Sequence, residues 1–402
     1  MSSLSSCRVR NRRAPGRSVG SEPDRPPRVA LVHDYLNQRG GAERVFAHVA
    51  RAYPDAPIYT SLFDPRETGD LVDAARLHVS ALRHVPFANR AFRLLAPLYP
   101  YVFEHFDLSA YDLIVSTTTT WAKGVRFRSD AVHVCYIHNV ARFAYAFDSY
   151  VGDRGPLSLA RAARPLLAPL VAWDRRAARR PTAFIANSRN VAGRVRRFYG
   201  REAAVAHCPI DVDRFSIGAG DGAYALVVAR LLPYKRVDLA IRGCALAGVP
   251  LVIVGTGPEE AGLRRLARGT ATRFAGAVSD AELSALLGAA RVAIVAGEED
   301  YGLVPLEANA AGRPAIAYAR GGALETVVPG VTGELFWDAD AASLAAALRA
   351  FDDARFDARA LRRYAERFAP GPFIERFRGL VDDAVRSAHA ERAEAGARVA
   401  AT

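Results

Sequence analysis

Two periodicities alternate along the chain. Short uninterrupted aliphatic runs are separated by longer stretches in which apolar residues recur at the spacing of helices that bury one face. Arg28–His33 (RVALVH), Asp112–Ser116 (DLIVS), Val132–Ile137 (VHVCYI) and Ala183–Asn187 (AFIAN) read as buried parallel strands, each ending in polar or small residues. A second series comprises Ala223–Ala229 (AYALVVA), Pro250–Gly255 (PLVIVG), Thr272–Ala275 (TRFA), Val292–Ala296 (VAIVA) and Pro314–Tyr318 (PAIAY). Between the two lies a turn-rich stretch, Pro209–Gly222, with Asp211, Asp213, Gly218, Gly220 and Gly222. Alternation of strand and helix on both sides predicts an α/β protein of two Rossmann-like, doubly wound domains, 28–206 and 223–371, joined by a linker at 207–222. Such sheets bind ligands beyond the carboxyl ends of their strands, and two of them facing each other enclose a central cleft.

The composition suits that reading. At 402 residues, half of them hydrophobic, the chain can bury a core in each domain. No run approaches the roughly 20 apolar residues of a membrane-spanning helix. Cys7, Cys135, Cys208 and Cys244 are too far apart for a metal motif or a disulfide scaffold, which suggests a reducing, cytoplasmic setting. The net charge of +12 favours an anionic partner: nucleic acid, a membrane surface or a phosphorylated substrate. Part of that charge sits in residues 1–27, a Pro-rich basic tail expected to be disordered, either an incidental extension or a contact for an anion. Lys+Arg total 54, yet Lys123 and Lys235 are the only lysines, so a lysine marks a position where a compact ammonium is wanted, or chance.

Three loops after strands carry candidate chemistry. Gly40 and Gly41 precede a helix with apolar Val45, Phe46 and Val49; paired glycines there let a phosphate approach backbone N–H groups, or simply make a turn. Arg230 and Lys235 flank the loop after Ala223–Ala229, where they form either a clamp for a diphosphate or a solvated basic turn. Glu299 and Glu307 follow the strand VAIVA, in a loop and in a helix begun by Pro305. A pair of carboxylates at different depths suits a ligand rich in vicinal hydroxyls; the alternative is acidic residues favoured by a helix dipole. Asp211-x-Asp213 and Asp338-x-Asp340 read as turn or cap chemistry, and no metal site is expected.

Taken in order, GGAER, CYIHN, ARLLPYKRVDLAI, VGTGPE, FAGAVSDAELSALL, EEDYGLVPLEANAAGRPAIAY and GGALETVVPGVTGELF resemble the retaining glycosyltransferases of family 4, which have the GT-B fold. The likeness covers roughly 28–345, and within it the polysaccharide and O-antigen mannosyltransferase type is favoured. The family's E-x7-E is met by Glu299 and Glu307, whereas HNVAR at 138–142 departs from the usual His-Thr-Pro run and ANAAG at 308–312 from a Met-Ala-Cys-Gly type. The resemblance implies that Arg230 and Lys235 grip a nucleotide diphosphate, that Glu299 contacts the donor sugar and Glu307 the ribose, and that Gly40 and Gly41 lie near the distal phosphate. It implies that His138 lies by the donor sugar; by itself, a lone histidine after a strand is more often a satisfied structural one. It places the base against Phe274–Val278, with Gly255 and Gly257 nearby, and Gly302, Leu303 and Val304 beside the donor. It also implies that residues 372–402 begin with a helix, Pro372–Ala390, packing back on the first domain.

The implied reaction moves a hexosyl group, with retention and without a metal or other cofactor, from a UDP- or GDP-sugar to a hydroxyl of a saccharide or lipid-linked acceptor. Residues 81–106 mix Arg83, Arg90 and Arg93 with Phe87, Phe92, Leu94, Leu95, Leu98, Tyr99 and Tyr101, which suits peripheral contact with an anionic membrane on its inner face, or an ordinary amphipathic core helix and its loop. Arg175–Arg180 and Arg194–Arg197 either extend that surface or are solvated. Two alternatives stay open: another enzyme of the same fold, a sugar phosphorylase or nucleotide-sugar epimerase, and a basic nucleic-acid-binding protein. No nucleic-acid module is recognisable, so no nucleic-acid partner is expected.

Overall fold

The computed structural model describes residues 25–145, 167–218 and 224–400. The tail as far as residue 24 and linker residues Gly220 and Gly222 lie outside the described residues. Two parallel sheets form. The first takes the order β3-β2-β1-β4-β5-β6-β7. It is built from Val29–His33 (β1), Ile58–Thr60 (β2), Leu77–Val79 (β3), Leu113–Thr118 (β4), Val132–Ile137 (β5), Ala183–Ala186 (β6) and Ala203–Val205 (β7). The second takes the order β10-β9-β8-β11-β12-β13. Its strands are Ala225–Val228 (β8), Leu251–Val254 (β9), Thr272–Gly276 (β10), Val292–Val295 (β11), Ala315–Tyr318 (β12) and Gly333–Phe336 (β13). This is the GT-B architecture, two Rossmann-like domains facing a cleft.

Every strand expected from an aliphatic run forms. β4 and β5 are buried along their whole length, because helices cover both faces of a parallel sheet. β2, β3, β7 and β13 carry no such run. The first three are three residues each and add onto existing strands, with Ile58 beside Leu31 and Ala203 beside Phe184.

Each sheet reverses its strand order once, between β1 and β4 in the first and between β8 and β11 in the second. At such a point adjacent loops run to opposite faces and leave a crevice. Asp34, at the end of β1, builds the first crevice: its buried carboxylate accepts from Thr118 Oγ1 at 2.7 Å, Thr119 N at 2.7 Å and Ala122 N at 2.7 Å. Burial opposes its charge, but His33 and these hydrogen bonds outweigh that and hold its pKa below the usual carboxylate value.

The helix Pro370–Ala400 runs back over the first domain, where Phe377 is fully buried and Phe373 and Phe377 meet Tyr136 edge to face at 5.9 and 5.7 Å. Residues 81–106 are not one amphipathic helix. They form short turns at Ala81–His84 and Phe92–Leu95 and a brief helix at Tyr99–Glu104, with Leu82, Tyr99 and Phe103 facing inward. No described helix is long and apolar enough to cross a membrane.

Candidate functional site

The two crevices face each other across one cavity of about 790 Å³. Its N-terminal wall is made by the loops after β1, β4 and β5, and its C-terminal wall by those after β8 and β11 with the helix Val304–Ala310. Of the residues expected at a site, His138, Arg230, Lys235, Glu299, Gly40, Gly41, Glu307, Gly302, Leu303 and Val304 all line it. Residues distant in sequence are thus brought to one place by topology.

Lys235 Nζ lies 2.5 Å from Glu299 Oε1, and both side chains are 18% exposed. Burial disfavours the ammonium, yet the Glu299 carboxylate more than compensates, and the lysine pKa stands above its ordinary value. The loop carrying Lys235 can lie this close to the end of β11 because residue 297 is glycine. A Cβ there would sit 2.2 Å from Tyr234 O and 2.9 Å from the Lys235 backbone. Arg230 is exposed, and among the described residues its guanidinium has no carboxylate partner. Glu307, in the first turn of its helix, lies in the field of Arg214 and Arg44, but burial prevails and raises its pKa. Those two arginines share Asp280, at 2.6 Å from Arg214 and 3.1 Å from Arg44.

On the opposite wall Gly41 opens the helix Gly41–Ala52, and a Cβ on it would meet Leu303 Cδ1 of the other domain at 3.2 Å. His138 follows β5; its main chain is held by Thr118 O at 2.8 Å and by Asn187 Nδ2 at 3.1 Å. Its ring is buried, with Nε2 unpartnered among the described residues, and desolvation depresses its pKa to about 3, so the imidazole is neutral.

Four expected donor residues do not line the cavity. Phe274 lies on β10, the edge strand, separated from the β8–β11 crevice by β9, and its ring carries the Arg264 guanidinium at 4.6 Å. Val278 packs against the core beyond it. Gly255 and Gly257 serve close backbone packing: a Cβ on Gly255, at φ +122°, would be 2.0 Å from Ala229 O, and one on Gly257 would be 2.5 Å from Leu231 O.

The structure adds residues that sequence reasoning missed. Glu43 of the GGAER run lines the cavity, and burial lifts its carboxyl pKa to about 7. Asp34, Arg142 and Asp300 also line it. The departure HNVAR contained the signal for Arg142, but not its partner. Lys123, the other lysine, is fully buried against Asp174 at 2.6 Å and lies outside the cavity. Asp340 caps the helix Ala341–Ala350, whereas Asp211 makes no side-chain cap bond and pairs with His48, and Asp213 pairs with Arg362. Among the described residues no group of His, Cys, Asp or Glu is placed to hold a metal ion.

Two family models match the chain, one described as Glycosyltransferase Family 4 over residues 39–214 and one as Glycosyl transferases group 1 over residues 210–368. A D-inositol 3-phosphate glycosyltransferase of Streptomyces avermitilis is 28% identical over 408 residues, spanning 86% of this chain and 85% of its own. HepE of Anabaena, solved with UDP, superposes with a TM-score of 0.64 at 19% identity, covering 89% of this chain and all of its own. Sucrose-phosphate synthase of Thermosynechococcus elongatus superposes with a TM-score of 0.68 at 20% identity, covering 89% and 99%.

Proposed function

We propose, for a chain that belongs to the glycosyltransferases by a family 4 model over its first half and a group 1 model over its second, that the cleft moves a hexosyl group from a nucleotide-diphosphate sugar to an acceptor hydroxyl, with retention at the anomeric carbon. The observation that carries this reading is the meeting of Arg230, the Lys235–Glu299 pair and Glu307 on one wall, opposite Gly41 and His138 on the other. Arg230 and Lys235 supply two cations for a diphosphate. Glu299 and Glu307 supply acceptors for sugar and ribose hydroxyls, and the first-turn amides after Gly40 face the distal phosphate.

The chemistry follows from that placement. The bond from the anomeric carbon to the phosphate oxygen breaks, and negative charge collects on the leaving diphosphate as the carbon becomes oxocarbenium-like. Arg230 and Lys235 stabilise that charge without a metal. The acceptor hydroxyl bonds to the same face of the sugar and gives its proton to the departing phosphate oxygen, so no enzymic nucleophile is needed. His138, neutral in its buried site, bounds the sugar and does not serve as a cationic acid.

UDP is the first nucleotide to test, because HepE was solved with UDP; the comparisons lend no support to a mannosyl donor over other hexoses. For the acceptor we favour a lipid-linked saccharide, with the enzyme peripheral on the cytoplasmic face of an anionic membrane. Phe87, Leu94 and Tyr101 are 77%, 81% and 67% exposed, and Arg83, Arg90 and Arg93 stand among them. Phe92, Arg93 and Ala96 of the same segment line the cavity. Arg180 and Arg194 do not extend this surface, since they pair with Glu104 and Asp300.

Calorimetric titration with UDP, GDP and ADP tests the core of the proposal. One nucleotide should bind selectively, and Glu307→Ala should weaken it by about tenfold or more, the loss of charge-assisted hydrogen bonds to a ribose. Unchanged affinity in that variant removes Glu307 from the site.

A further inference from the structure

The loop that carries Glu299 is held from the far wall of the cleft. Asp300, the next residue, offers its carboxylate to two arginines of the N-terminal domain: Arg142 on Oδ2 and Arg194 on Oδ1 at 2.6 Å. Its main chain is held as well, Asp300 O accepting from Ser188 Oγ at 2.8 Å and from Asn190 Nδ2 at 3.1 Å. Arg142 does more than pair. Its guanidinium lies 4.4 Å over the ring of Tyr234, the residue before Lys235. A single side chain, four positions after His138, therefore touches both loops that present Lys235 and Glu299. Charge-assisted bonds of this kind are directional, so the link sets geometry as well as holding charge.

We propose that Asp300 is a positioning residue for transfer: clamped by Arg142 and Arg194 of the opposite domain, it sets Glu299 and Lys235 in register with His138, so the donor-gripping loops reach their working arrangement only when the domains close. The proposal rests on the transferase reading of the cleft. Arg230 and Glu307 stand outside this linkage, and Lys235 keeps its Glu299 partner without it because both lie in one domain, so grip on a free nucleotide diphosphate does not depend on it. Alignment of the sugar with the acceptor does. Loss of the clamp therefore falls on turnover more than on nucleotide binding, and removing either end of one link costs what removing both costs.

The test compares wild type, Asp300→Asn, Arg142→Ala, Arg142→Lys and the double variant R142A/D300N. Affinity for free UDP, GDP and ADP is measured by calorimetry, and kcat and KM are measured for nucleotide release from UDP-glucose and GDP-mannose with water as the acceptor. Asp300→Asn should lower kcat at least tenfold with the nucleotide Kd within twofold of wild type. Arg142→Lys should recover part of what Arg142→Ala loses, and the double variant should lose clearly less than the product of the two single losses, since the Arg142–Asp300 link is shared. Wild-type turnover in Asp300→Asn, parallel loss of turnover and nucleotide affinity, or additive losses in the double variant would each overturn the proposal. Should Asp300→Asn fail to fold, the two Arg142 variants decide from the other domain by the same kcat-against-Kd split. A wild-type protein that binds none of UDP, GDP and ADP overturns the transferase reading and the clamp together, a result distinct from one that binds nucleotide and is indifferent to the variants.

Discussion

The two lysines of this arginine-rich chain show how burial sorts charge residue by residue. Each faces a carboxylate, Lys123 with Asp174 in the interior and Lys235 with Glu299 in the cleft, because a buried ammonium without a partner is too costly. Only the second pair lines the cavity, and under the proposed transfer a diphosphate would take Lys235 from Glu299 while freeing Glu299 for sugar hydroxyls. Arg230→Ala and Lys235→Ala should each lower turnover on the order of 10²-fold, a loss of leaving-group stabilisation; wild-type rates in both would remove the diphosphate clamp. Histidines set the response to acid. Burial depresses the pKa of His33 to about 4 and of His133 and His138 to about 3, so all three take up protons on unfolding. Their contribution to stability is complete above about pH 6.5 and is lost as the pH falls through that value toward 4 and 3. Glu43 and Glu307 act in the opposite sense, the contribution of Glu43 fading as the pH rises from its ordinary range through about 7, but they are two protons against three. The melting temperature should therefore fall steadily from pH 6.5 to 4, and a flat profile would mean that these rings are not buried neutral.

At the scale of elements, the loop after β11 depends on what it leaves out. Gly297 lacks the Cβ that would collide with Tyr234 O, and Gly302 takes φ +86° before the helix Val304–Ala310. Gly297→Ala should displace the Lys235 loop and weaken nucleotide binding by about tenfold, while far-ultraviolet circular dichroism stays that of wild type. Equal binding in the variant would show that the two loops separate without cost. Strands were legible from sequence where both faces are buried, since that demands an unbroken aliphatic run, as in β5. β3 and β7 are half-exposed and three residues long, so their pattern is indistinguishable from that of a loop, and only pairing with β2 and β6 makes them strands. Residues 81–106 had the composition of an amphipathic helix, yet Pro86 and Pro97 break it into turns, and Pro100 stands in the first turn of the short helix that follows.

For the whole molecule, the net +12 is partly spent inside. Arg142 and Arg194 join the domains through Asp300, and Glu325 accepts from Arg189 N and Asn190 N, both at 2.9 Å, at the start of a helix in the other domain. The charge left outside, beside exposed Phe87 and Leu94, suits an anionic bilayer. Wild type should sediment with vesicles containing about a third phosphatidylglycerol and not with pure phosphatidylcholine, and F87S/L94S should lose that binding while keeping its nucleotide affinity. Equal sedimentation of the variant would leave the membrane contact without support. The sequence alone determined the two-domain α/β class and pointed to the loops after the strands, with Arg230, Lys235, Glu299 and Glu307 on them, because aliphatic runs and loop chemistry are local properties written residue by residue. Tertiary structure alone decided that Lys235 meets Glu299, that Phe274 and Val278 lie past the edge of the cavity, and that Arg142 reaches Asp300 from the other domain. Those facts depend on strand order and on how the two sheets face each other, and hydrophobic periodicity carries no record of either.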